Sequence, residues 1–125
     1  MPLKESGEMY LETILILSGR QNTVRSVDIG EYMGYSKPSV SRAVGILKDG
    51  GYITVDEGGA LHLTEEGEAV AEKIDAKHVV ISDFLMRLGV DEKTATDDAC
   101  KMEHYISDKS FQALARHIND MDSRL

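Results

Sequence analysis

The segment "DDACKMEHYISD", residues 97–108, places a thiol at Cys100, a carboxylate at Glu103 and an imidazole at His104, with Asp97 and Asp98 just ahead. Cys100 is the single cysteine of the chain. On an α-helix the positions i, i+3 and i+4 share one face, so sulfur, oxygen and nitrogen donors would converge there. A thiolate among them favours softer, later divalent ions over Mg or Mn, while carboxylate and imidazole keep Fe(II) accessible. Three donors from one segment do not close a coordination sphere, and the rest must come from elsewhere. Met9 and Glu12, one turn apart near the N-terminus, and His78 are the candidates. Singly, each has an ordinary reading: Met9 as core, Glu12 as a solvated helix charge, His78 as a half-buried imidazole beside Val79 and Val80, and Cys100 as a small buried residue. The combination points to a metal site. His62 and His117 have no comparable neighbours and receive no role.

These donors need rigid elements behind them. Apolar spacing predicts a first helix from about Glu5 to Leu17, with Tyr10, Ile14 and Leu17 on one stripe and Met9, Glu12 and Ile16 on another. A second helix opens near Ser26 and stops at Gly34, a residue suited to a left-handed helix end. Ser36 caps a third helix that tolerates Pro38 in its first turn, carries the stripe Val40, Val44 and Leu47, and ends at Gly50-Gly51. Two strands, Tyr52–Val55 and Ala60–Leu63, flank a turn at Gly58-Gly59. Thr64 caps a long helix reaching about Leu88, with Val80, Phe84, Leu85 and Leu88 on its apolar side. Two final helices cover roughly 94–106 and 108–120; Asp91 caps the first, and Ser107 or Asp108 starts the second. The expected fold is mainly α, an N-terminal winged helix-turn-helix followed by a further helical domain.

Helix, tight turn, helix and hairpin is the order of a winged helix-turn-helix, whose second helix enters the major groove by its N-terminal residues. The expected DNA contacts are Arg25, Ser36, Lys37, Pro38, Ser39, Ser41 and Arg42. Serine and lysine at a helix start donate to phosphates, and Arg42 has the fork that pairs with guanine N7 and O6. Asp56 and Glu57 at the hairpin tip argue mildly the other way, because a wing touching phosphates favours basic residues.

Composition sets the outer bounds. At 125 residues and 42% hydrophobic content the chain can form one compact unit or two small ones. A formal net charge of -8 opposes nucleic-acid binding. Between Arg20 and Lys48, however, five basic side chains face only Asp28 and Glu31, a local charge of +3. No apolar run reaches the roughly 20 residues of a membrane span, and Glu8 and Glu12 interrupt the N-terminal apolar run, so neither anchor nor signal peptide is expected. One cysteine forms no internal disulfide, which fits a cytoplasmic setting.

In this order, "EMYLETI", "SVDIGEYMGYSKPSVSRAVGIL", "LHLTEEG", "KHVVISDFL" and "DDACKMEHYISD" resemble the diphtheria-toxin-repressor family, metal-activated transcriptional repressors with iron- and manganese-responsive branches. The likeness runs from about residue 5 to 120. It implies a DNA-binding domain at 1–70 and a metal-binding, dimerising domain at 71–125, with metal held between them. It also implies a short form without the SH3-like third domain. The iron branch's activating donors fall on Met9, Cys100, Glu103 and His104. In the manganese branch Glu12 and His78 are retained, Met9 stands where that branch has an Asp, and a Glu occupies the place of Cys100. The ancillary site of the iron branch pairs His78 with a Glu and a His, whose places hold Ser82 and Thr96, while Asp83 is one residue off register.

The expected function is therefore a metal-activated repressor of iron or manganese homeostasis, not an enzyme, acting as a homodimer on double-stranded operator DNA. Fe(II) is the expected ion, because thioether and thiolate favour softer metals while carboxylate and imidazole keep Fe(II) accessible; Mn(II) is the alternative, and Zn, Co or Ni should bind in vitro. The competing reading is a winged-helix regulator sensing oxidants through Cys100. A reactive thiol prefers basic neighbours, however, and Asp97, Asp98 and Glu103 are the reverse.

Overall fold

The structure, a computed structural model, describes residues 5–123, with side chains from residue 6 to 121. In order come α1 (Glu5–Ser18), α2 (Ser26–Met33), α3 (Lys37–Asp49), β1 (Ile53–Val55), β2 (Leu61–Leu63), α4 (Glu65–Arg87), α5 (Glu92–Met102) and α6 (Asp108–Ser123). The chain divides into two compact units, Met1–Lys73 and Ile74–Leu125.

The first unit is built on α1. Tyr10, Leu11, Ile14 and Leu17 recur at helical spacing and are all buried, against Ile29 of α2, Val40 and Leu47 of α3, and Ile53 and Leu61 of the hairpin. The α2–α3 turn is set locally. Gly34 takes φ 72°, where a side chain would be strained, and its N–H donates to Gly30 O. Ser36 then accepts from Ser39 N, and Pro38 sits in the first turn of α3. The hairpin pairs Ile53 with Leu63, Thr54 with His62 and Val55 with Leu61. It also leans on the segment before α2, where Leu61 N donates to Val24 O at 2.8 Å and Arg25 bridges Ala60.

Thr64 joins hairpin to helix. Its hydroxyl donates to Gly51 O at 2.7 Å and accepts from Gly67 N at 3.1 Å, and its own N–H donates to Tyr52 O at 3.0 Å. The first turn of α4 presses so closely on the Tyr52 carbonyl that a Cβ at Gly67 would overlap it.

In the second unit Ile74 and Ile81 of α4, Ala95 and Ala99 of α5, and Ile118 of α6 are buried. Asp91 caps α5, accepting from Thr94 N at 3.0 Å, and Ser107 Oγ accepts from Ser110 N at 3.1 Å at the start of α6. Two details depart from the expected elements. The inward face of α4 runs through Ile74 and Ile81, while Leu88 is 66% exposed beyond the helix end. By spacing Leu88 shares the face of Ile74 and Ile81, but α4 ends at Arg87 and the chain leaves that face there. The other departure is that α5 stops at Met102 rather than near 106; Glu103 is its C-cap, and Tyr105 N and Ile106 N both donate to Met102 O.

Candidate metal centre and nucleic-acid interface

The early end of α5 changes how the donors converge. Cys100 is the last of them on the helix, Glu103 still donates its N–H to Ala99 O at 2.9 Å as C-cap, and His104 lies in the turn beyond. The helical arc expected for all three therefore holds only as far as Glu103. Convergence is completed by α4: His78 Nδ1 donates to Glu103 Oε2 at 2.9 Å. Cys100 Sγ lies 3.9 Å from that same nitrogen. One donor atom each from His78, Cys100 and Glu103 falls within a 4.8 Å cluster. His104 Nε2 stands 3.3 Å from Glu103 Oε1.

Glu103 is the chemically telling residue. It is 1% exposed, and its Oε1 is shielded from water without a hydrogen bond, the His104 approach lacking the geometry of one. A buried carboxylate oxygen without a donor is costly unless a cation compensates it. Nitrogen, sulfur and oxygen donors around it match a divalent transition ion, so the residues fit a metal. Cys100 is exposed, leaving the cluster open on one side. Met9 and Glu12 stand one turn apart on α1 in the first unit; Met9 is 37% exposed, and Glu12 carries a buried Oε2.

On the first unit Arg25, Ser36, Lys37, Pro38, Ser39, Ser41 and Arg42 are all exposed. Six of them form the cap and outward face of α3, whose opposite face buries Val40 and Leu47. Arg25 precedes α2, with its N–H donating to Asp28 Oδ2 at 2.9 Å. The α1 helix touches the α2–α3 turn through Tyr10, whose ring centroid lies 6.0 Å from that of Tyr35. Burial, with Tyr35 adding to it, pushes the Tyr10 hydroxyl above its ordinary pKa.

Two family models divide the chain between them. An iron dependent repressor N-terminal DNA binding domain matches residues 2–61, and an iron dependent repressor metal binding and dimerisation domain matches residues 64–124. The chain belongs to the iron-dependent repressor family of metal-dependent transcriptional regulators. Relatives of this family span different lengths. An uncharacterized HTH-type transcriptional regulator of Methanocaldococcus jannaschii is 33% identical over 90% of this chain and 91% of its own. The diphtheria toxin repressor of Corynebacterium diphtheriae is 30% identical over 95% of this chain but 53% of its own. The solved structure of the manganese regulator SloR superposes with a TM-score of 0.81 at 30% identity, covering 95% of this chain and 55% of the other. The chain thus spans about half the length of the latter two.

Within this chain two polar features escaped the sequence reading. His62 was given no role, yet its Nε2 donates to Asp56 Oδ2 at 3.1 Å, while Asp56 Oδ1 accepts from Gly58 N and Ala60 N at 2.9 Å each. The acid at the wing tip, though exposed, is thus tied into the turn by these hydrogen bonds. The pairing of Thr54 with His62 is the signal that would have located the pair, since it sets His62 near the end of the opposite strand. The second feature is an ion pair between Lys77 and Asp108. The ancillary positions form no comparable cluster: Asp83 pairs with Arg87 at 3.0 Å, and Ser82 Oγ donates to Val79 O at 3.1 Å. Nothing observed favours the oxidant-sensing alternative for Cys100.

Proposed function

We propose that this chain is a repressor that binds operator DNA as a homodimer when loaded with Fe(II), with Mn(II) as the alternative ion, and that it works in the cytoplasm without catalysing a reaction. The observation that carries this reading is the His78, Cys100 and Glu103 cluster, with its donor atoms within 4.8 Å and a buried carboxylate oxygen lacking a hydrogen bond. His104 is the fourth donor from the same unit, and Met9 and Glu12 are the donors from α1.

When bound, the ion supplies positive charge where Glu103, Asp97 and Asp98 concentrate negative charge. Glu103 holds His78 by a hydrogen bond before any metal arrives, which reduces the ordering cost of binding. Occupancy of the site sets the spacing of two recognition helices in a dimer. Lys37 and the serines at the start of α3 hold phosphates, and Arg42 reads a guanine edge. The family's dimerisation domain supports the homodimer, and no helix among the described residues is long and apolar enough to cross a membrane.

The test is anaerobic fluorescence anisotropy on a duplex selected from random sequence in Mn(II). Adding Fe(II) or Mn(II) to chelated protein should tighten binding by about 5–150-fold. Glu103→Gln or His104→Ala should abolish the gain. Equal binding with chelator and with both metals would overturn the proposal.

A further inference from the structure

An ion pair between a buried lysine and an exposed aspartate adjoins the candidate metal donors in sequence without belonging to them. The Lys77 side chain is 8% exposed, its Nζ lies 3.3 Å from Asp108 Oδ1, and it stands 6.0 Å over the Phe111 ring. Both partners are placed tellingly in the chain. Lys77 immediately precedes His78 on α4. Asp108 opens α6 directly after the 103–107 turn that carries Glu103 and His104. Successive residues on a helix point about 100° apart. One turn of α4 therefore holds Glu103 through His78 and the start of α6 through Lys77.

Electrostatics alone gives this lysine the wrong sign. An ammonium next to a cation site repels the cation, so any favourable effect of Lys77 on metal binding must act through geometry. The short turn between α5 and α6 is held at its near end by the Glu103 N–H on Ala99 O. Its far end is held by Asp108 on Lys77.

We propose that Lys77 and Asp108 are positioning residues for the metal centre: their pair locks the start of α6 to α4, and so fixes the intervening turn with the Glu103 carboxylate on His78. The inference rests on the metal-centre reading above. Lys77→Met separates it from simple charge effects. The substitution leaves no buried charge behind, keeps a long side chain that packs on Phe111, and takes the Lys77 contact from Asp108, whose side chain is 63% exposed and stays hydrated.

The experiment is an anaerobic Co(II) titration of the full chain, following the thiolate-to-cobalt charge-transfer band, with thermal unfolding of the metal-free protein alongside. Lys77→Met should weaken Co(II) binding about 10-fold, the scale on which outer partners of ligands act. Its metal-free Tm should stay within about 5 °C of the parent, and Lys77→Arg should restore most of the affinity. Co(II) binding as tight as the parent's, or tighter as Coulomb repulsion alone requires, would overturn the proposal. If Lys77→Met does not fold, Asp108→Glu keeps the charge and alters only reach; a weakened or displaced band then supports positioning, and an unchanged one overturns it. A parent protein with no band that depends on Cys100 would overturn the metal-centre reading itself, and this inference with it.

Discussion

Glu103 concentrates the chemistry of this chain in one side chain. It is a carboxylate at 1% exposure that receives a hydrogen bond from His78 on one oxygen and none on the other. A neutral amide is cheaper to bury than a carboxylate, so Glu103→Gln should leave the metal-free Tm unchanged or higher. The same variant should lose the stabilisation that saturating Mn(II) gives the parent, about 2.7 kcal/mol at one hundred times Kd. Differential scanning calorimetry with and without Mn(II) reads both, and a retained metal-dependent gain would remove Glu103 from the site. Asp56 makes a separate prediction. Its hydrogen bond from His62, then that from Ala60 N, holds its carboxyl below the ordinary 3.8. A lowered value in the folded state means its contribution is fully present above 3.8 and is lost as pH falls through the folded value. The wing turn should therefore be intact from neutral pH to about pH 4 and loosen only in stronger acid. Amide chemical shifts of Gly58 and Ala60 across that range check it; movement beginning near pH 6 would contradict the assignment.

At the scale of elements, the junction of hairpin and α4 is the most tightly specified place in the first unit. Thr64 satisfies backbone groups on both sides of it, and Gly67 lets the helix approach the Tyr52 carbonyl. Because the obstacle is backbone rather than a flexible side chain, Gly67→Ala should cost about 2–3 kcal/mol despite the better helix propensity of alanine. Urea unfolding measures this; a stabilised variant would show that α4 can shift without penalty. Element boundaries were legible wherever a local rule set them. Gly34, Ser36 with Pro38, Thr64 and Asp91 each stand where capping chemistry put them. The end of α5 was not legible, because the residues 103–106 carry no proline or glycine and their turn depends on hydrogen bonds back to Ala99 and Met102. Nor was the exposure of Leu88, which shares the face of Ile74 and Ile81 by spacing but falls just past the end of α4.

For the whole molecule the governing tension is a net charge of -8 on a chain that belongs to a DNA-binding family. Five of the fourteen basic residues lie between Arg20 and Lys48, where only Asp28 and Glu31 oppose them, so few phosphate contacts carry the affinity. Lys37→Ala should reduce the slope of log K against log salt by about one and weaken all duplexes alike. Arg42→Ala should instead cost about 1–3 kcal/mol mainly on the selected duplex, relaxing discrimination at one base pair. Salt titrations of anisotropy on selected and scrambled duplexes separate the two, and uniform weakening by Arg42→Ala would place it on phosphate.

The primary sequence alone determined the succession of helices and hairpin, the caps that bound most of them, the outward polar face of α3, and the donor types clustered around Cys100. These follow from rules acting over a few residues: period, capping, turn chemistry and ligand softness. Only the tertiary structure decided that His78, twenty-five residues before Glu103, meets its carboxylate. The same holds for Asp56 turning onto His62, and for Lys77 closing on Asp108. Those partnerships depend on which faces of packed elements are buried together, and burial is settled by the whole core rather than by any local stretch of chain.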